Sequence, residues 1–287
     1  MVGLDSDRIL RFRKYHYFIE FLYHIFDLIN KDYPTILVAT LEDEVVGQVH
    51  IVPLGKGIWT IDSLAVDPSY IKRGVGGHLI EGSTEYIKMK RGKKAISSIR
   101  TDNAPALRIA EKLGFSPFQT TSSYFCEIDP QSTKIPENVV IEGFAPNDSE
   151  GVFEICRVVD PTKTKAYHVS PRDFLTSPLE WISNKMLHLR SEKVVLRVDD
   201  RIVGYAHVIY TTPHEAAKIK SFCFTPNPDL KRLEDALLAY VLNLLLKRNI
   251  RRVILNLNRE RERMIETIKQ RGFRHLASFY EISKNLN

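Results

Sequence analysis

The chain has 287 residues, long for one domain and comfortable for two. Hydrophobic residues make up 44% and aromatic residues 10%, which supplies real cores and excludes a globally disordered chain. The net charge is +6, but the 41 basic and 35 acidic residues are mostly interspersed, as on a solvated surface, so nucleic acid is not the expected partner.

The first candidate element is a helix over Tyr15 to Asn30. Its apolar stretch is interrupted by His16, Glu20, His24 and Asp27, too short and too charged for a membrane span or a signal peptide. Ile36 to Thr40 and Val45 to Val52 read as a hairpin around Glu42-Asp43-Glu44. Ile58 to Val66 is the next strand, ending at Asp67-Pro68. A short basic turn follows, and Gly74, Gly76 and Gly77 open a helix running to about Lys90. Lys94 to Arg100 is a strand. Ala104 to Leu113 is a helix with Gly114 at its C′ position, and Thr121 to Ile128 is a strand. The segment from Asp129 to Pro136, with two prolines, is the linker. Beyond it the pattern reads Glu180 to Leu189 (helix), Val194 to Val198 and Ile202 to Tyr210 (hairpin), Ile219 to Phe224 (strand), Leu230 to Lys247 (helix), Val253 to Leu257 (strand), a helix to about Arg271, and Ala277 to Ile282 (strand). Two basic runs, Lys88 to Lys94 and Lys247 to Arg252, fall at helix C-termini, where cations suit the helix dipole.

The two series are related. Val46-Gly47 to His50 matches Val203-Gly204 to His207 at an offset of 157, and Pro68 matches Pro226 at 158. Gly114-Phe115 matches Gly272-Phe273, again at 158. A constant offset over three weak similarities implies a duplication, each copy being a folding unit. The expected domains are residues 1–130 and 137–287.

Glycines at a strand–helix junction let backbone N–H groups converge, and a helix N-terminus adds unpaired donors and partial positive charge. With Lys72 and Arg73 beside it, this turn reads as a cradle for a pyrophosphate. It is not a dinucleotide fingerprint, which needs glycine at Leu79, and no P-loop pattern occurs. The segment Leu64-Ala65-Val66-Asp67-Pro68 followed by Ile71-Lys72-Arg73-Gly74-Val75-Gly76 resembles motif A of the GNAT (Gcn5-related N-acetyltransferase) superfamily, with Ile71 where Gln or Arg is usual. Asn103 to Phe115, containing Ala106 and Glu111-Lys112-Leu113-Gly114-Phe115, resembles the superfamily's following helix motif at the expected spacing.

That resemblance implies two GNAT-like α/β domains, each a mixed, mostly antiparallel sheet flanked by helices. The implied donor is acetyl-coenzyme A, and the implied activity is N-acyl transfer to a primary amine of a small molecule, peptide or protein. Backbone amides of Lys72, Arg73, Gly74, Val75, Gly76 and Gly77 would hold the pyrophosphate. Leu64, Ala65 and Val66 would pair through their backbone with the pantetheine arm, which Asn103 would also contact; Asn is in addition a natural helix N-cap.

Two departures bear on catalysis. Ser98 stands where the family often has a base Glu, and Ala110 where it has an acid Tyr. Asp62 is the remaining candidate base on the strand leading into Leu64, with Tyr70, Ser98, Tyr124 or water supplying other proton steps. The competing expectation is a non-catalytic CoA-binding or sensing module. The second half lacks the glycine turn, with Lys231 to Glu234 falling there, and Asn103 aligns with Arg261. It reads as a degenerate copy that stabilises the pair or walls the acceptor pocket. Cys126, Cys156 and Cys223, none in a C-x-x-C, give no disulfide framework or zinc site and fit a reducing, cytoplasmic setting.

Overall fold

A computed structural model describes residues 34–42, 44–130, 136, 138–177, 184, 185, 188–211, 216–227 and 231–286. The helix expected over Tyr15 to Asn30 and most of the one expected from Glu180 to Leu189 lie outside the described residues; Leu189 itself begins a strand. The chain forms two compact units, one of residues 1–117 with 281–287 and one of residues 118–280.

The first unit carries β1 (Thr35–Leu41), β2 (Glu44–Gly55), β3 (Ile58–Val66), α1 (Val75–Met89), β4 (Lys94–Arg100) and α2 (Ala104–Lys112). β1, β2 and β3 form an antiparallel meander, and β4 runs parallel to β3 after the α1 crossover. Alternation along β3 puts Trp59 and Ile61 on the face that α1 covers, where Tyr86 meets the Trp59 ring edge-on at a centroid distance of 6.2 Å. Ile87 and Leu79 of α1 are buried on the same side. Gly92 ends the crossover because a Cβ there would fall 2.7 Å from the Trp59 ring.

The second unit contains β5 (Ser116–Glu127, from Phe118), β6 (Val139–Gly143), α3 (Ser149–Val159), α4 (Pro161–Ala166), β7 (Leu189–Val198), β8 (Arg201–Thr211), β9 (Ala216–Phe224), α5 (Lys231–Lys247), β10 (Arg252–Asn258), α6 (Glu262–Gln270) and β11 (Arg274–Asn285, as far as Tyr280). Its sheet is buried on both faces. Val194 and Leu196 join Leu237, Leu238 and Val241 of α5 in one core, while Val195, Tyr205 and Cys223 join Val152 and Ile155 of α3 in another. β6, α3 and α4 fill a stretch for which the sequence suggested no elements; α3 is short and its apolar face spans only a few turns. Cys156 on α3 and Cys223 on β9 form a disulfide with Cα atoms 5.5 Å apart. No spacing pattern announces this bridge, because 67 residues separate its ends and packing alone joins them.

The duplication holds at the level of register. In the parallel pair β3–β4, Ile58 lies across from Lys94; in β9–β10, Ala216 lies across from Arg252, each residue displaced by 158. Among the described residues, no helix is long and apolar enough to cross a membrane.

Candidate active site

The β3–β4 ladder is short. Only Ile58–Lys94, Trp59–Ala95 and Thr60–Ile96 pair; beyond them Ser97 Oγ donates to the Ile61 carbonyl at 2.8 Å. The far end of β3 is thus released from β4. On its other edge the register slips between His50–Asp62 and Gln48–Ala65, and Ser63 takes a left-handed φ of 51°. This bulge carries Leu64 and Ala65, both exposed, past the end of the β3–β4 ladder.

The turn that follows is built for backbone contact. Asp67 Oδ1 accepts from Ser69 N at 2.8 Å and starts the bend. Lys72 has φ 68° and Gly74 φ 86°, the latter being the N-cap of α1 with no side-chain cap. Among the described residues, the N–H groups of Val75, Gly76 and Gly77 therefore have neither an intrahelical nor a side-chain partner. A Cβ at Gly77 would meet nothing within 4 Å, and one at Gly76 would lie 3.8 Å from Leu64 Cδ2 and 3.9 Å from Val66 Cγ2. The helix start therefore sits against the released end of β3, with open space where side chains would be. Lys72 and Arg73 are exposed, and the Arg73 guanidinium lies 5.1 Å from the Tyr70 ring centroid. This arrangement suits a pyrophosphate at the helix start with an extended arm lying along β3.

Gly47 was visible in the sequence only as a repeat marker. A Cβ there would lie 3.0 Å from the Ala65 carbonyl and 3.1 Å from both Val75 Cγ1 and Leu79 Cδ1, so its absence lets α1 close on β3.

Asn103 is the N-cap of α2, its Oδ1 accepting from Ala106 N at 3.2 Å, which leaves its amide hydrogens as the donors it can offer a ligand. Asp62 is exposed and its Oδ1 accepts from Ser63 N at 2.7 Å. Ala110 is buried in α2 and supplies no acid. Tyr124 belongs to the second unit, where burial raises its phenol above the usual range and its ring meets His275 edge-on. Ser98 is exposed on β4 and donates from Oγ to Glu281 Oε2 at 2.6 Å. Glu281 escaped the sequence reading because it lies far from every motif. Among the described residues no group of three or more His, Cys, Asp or Glu could hold a metal ion.

The second unit differs at the matching place. Its parallel ladder runs from Ala216–Arg252 to Ile219–Leu255, and Arg261 then reaches in and donates from Nη1 to the Phe222 carbonyl at 2.6 Å. Desolvation lowers the Arg261 pKa, while Glu234 and Asp160 favour its charged form. α5 starts without glycines, and Glu234, buried in its first turn, faces Arg263 Nε at 3.7 Å.

Residues 6–115 match the family described as Acetyltransferase (GNAT) family. This match lies within the first unit and does not reach the second. The chain's fold is similar to that of a tandem GNAT protein from the clavulanic acid biosynthesis pathway, at 16% identity and a TM-score of 0.62 over 88% of this chain and 84% of that one. It is also similar to a GCN5-related N-acetyltransferase from Sphaerobacter thermophilus, at 17% identity and a TM-score of 0.67 over 89% of this chain and 81% of that one. No curated protein matches the chain.

Proposed function

We propose that this protein is an acyl-CoA-dependent N-acyltransferase that takes acetyl-CoA as donor and a primary amine of a small molecule, peptide or protein as acceptor. The observation that carries this reading is the uncapped glycine start of α1 lying against the released end of β3. Backbone amides of residues 72 to 77 suit the pyrophosphate, and those of Leu64, Ala65 and Val66 suit the pantetheine arm and the thioester carbonyl. Asn103 offers a donor to the same arm. The released end of β3 leaves donor and acceptor room to meet directly, and no cysteine lies in this unit to carry an acyl group.

Attack requires a neutral amine. At pH 7, deprotonation costs roughly 4.6 kcal/mol for a lysine-like amine with pKa ~10.4, and about 1.4 kcal/mol for an α-amine with pKa ~8. A carboxylate at the open end of β3 lowers this demand, and Asp62 is the one that the strand itself carries there.

A second reading, a CoA-binding or sensing module, is favoured by Ser98 and Ala110 at the two family positions for proton transfer. Turnover of acetyl-CoA across a panel of primary amines, followed by release of CoA thiol, separates the two. Transfer to any amine supports the enzyme; tight CoA binding with no transfer supports the module.

A further inference from the structure

The motif helices leave β4 without a carboxylate before Asn103, yet the fold brings one there from the far end of the chain. Ser98 Oγ donates to Glu281 Oε2 at 2.6 Å. The backbone fixes this pair. Leu286 N donates to the Lys93 carbonyl at 2.8 Å; Ser98 lies five residues after Lys93 and Glu281 five before Leu286, so both contacts fit one antiparallel register. Residues opposite each other across two strands share a face of the sheet.

That face borders the opening. Pairing of β3 with β4 ends at Thr60–Ile96, and Ser98 is the next residue of β4 on the side of Ile96. Asp62 has the same relation to Thr60 on β3. The two carboxylates differ in their setting: Asp62 is exposed, with one oxygen bound to the backbone of its own bulge. Glu281 is half-buried, held by a side-chain hydroxyl and anchored by the buried Ile282.

We infer that Glu281, positioned by Ser98, accepts the proton of the acceptor amine. The assignment rests on the transferase reading above. Glu281 takes one proton from the acceptor ammonium and frees its lone pair. The nitrogen bonds to the acyl carbon, the carbon–sulfur bond breaks, and the second departing nitrogen proton goes to the thiolate as CoA leaves. Amide and CoA thiol are formed, and Glu281 returns its proton to solvent.

The test compares Glu281→Gln, Asp62→Asn, Ser98→Ala and Ser98→Thr in the full chain, with acetyl-CoA and a lysine- or polyamine-type acceptor that the wild type uses. Glu281→Gln keeps an acceptor for Ser98, so the thermal melt and the calorimetric affinity for CoA stay within a few-fold of wild type. Its kcat falls about 10²- to 10⁴-fold near neutral pH, and the deficit shrinks as pH approaches the amine pKa. Ser98→Ala lowers kcat about 10-fold through misplacement of the carboxylate, without changing CoA affinity, and Ser98→Thr restores it. A wild-type rate in Glu281→Gln, or a pH-dependent loss carried by Asp62→Asn instead, overturns the assignment and leaves the transferase reading standing. Absence of transfer by the wild type to any amine overturns both.

Discussion

The Arg261 guanidinium donates from Nη1 to the Phe222 carbonyl at 2.6 Å. Phe222 follows Leu64 by 158 residues and Arg261 follows Asn103 by the same interval. In the first repeat Leu64 is exposed at a strand edge proposed to take a ligand; in the second, the chain bonds the equivalent residue with its own side chain. An internal hydrogen bond thus takes the place that pantetheine is proposed to take in the first unit.

One CoA site per chain is therefore expected in titration calorimetry. Arg261→Ala should leave the Phe222 carbonyl without its donor and lower stability by about 1–3 kcal/mol, read as a drop in melting temperature. It should create no second site, because Glu234 and Asp235 stand at the start of α5 where the first repeat has glycines. Two equivalent sites in the wild type would refute the pseudo-domain reading.

Gly76→Asp probes the cradle. A Cβ at Gly76 has no neighbour closer than 3.8 Å, so the fold should accept it and the apo melt should hardly move. A carboxylate beside a bound pyrophosphate repels it, and CoA affinity should fall beyond calorimetric detection. Retained affinity would move the donor site away from the start of α1.

How much of this was legible depended on the range of the interaction. β3 and β4 were read to the residue, Ile58–Val66 and Lys94–Arg100, because short apolar runs ending at Pro, Gly and charged residues carry their own boundaries. The glycine turn and the Asn103 cap were legible for the same reason, since their chemistry is local. Three features were not. The Ser98–Glu281 bond spans 183 residues, the Cys156–Cys223 bridge 67, and the Arg261–Phe222 bond 39, and each is made by tertiary packing that no local pattern encodes. The compact units also follow contacts rather than halves of the sequence. β5 pairs along β10 from Thr121–Asn258 to Glu127–Arg252 and so belongs with the second unit, and residues 281–287 with the first.

His207 gives the fold a pH dependence of known sign. Burial, with Lys220 and Lys193 adding to it, lowers its pKa from 6.5 to about 3, and one ring nitrogen lies 2.8 Å from Ser191 Oγ. The unfolded chain takes up a proton near pH 6.5 while the folded chain resists until about pH 3. This group's contribution is therefore intact above pH 6.5 and is lost as pH falls below it, by at most about 1.4 kcal/mol per pH unit. Denaturant midpoints measured between pH 7 and pH 4 should fall less steeply for His207→Gln than for wild type. Parallel slopes would show that other groups set the acid limb.

The paired glycines Gly47 and Gly204 separate stability from function within one chain. Each sits where a repeat's second strand meets its main helix. A Cβ at Gly204 would lie 2.8 Å from Phe224 Cδ2 and 2.9 Å from Leu237 Cδ2, and one at Gly47 would lie 3.0 Å from the Ala65 carbonyl. Either alanine overpacks its unit, at a cost of about 1–3 kcal/mol. The neighbours that must yield are different. At Gly204 they are a phenyl ring and a leucine of the second unit, for which no ligand contact is proposed. At Gly47 they are the Ala65 backbone and Val75 at the head of α1, the groups proposed to hold pantetheine and pyrophosphate. Gly204→Ala should therefore lower the melting temperature and leave CoA affinity unchanged, whereas Gly47→Ala should lower both. If the two variants lose stability alike and neither changes CoA affinity, the approach of α1 to β3 is a packing feature and the donor does not depend on it.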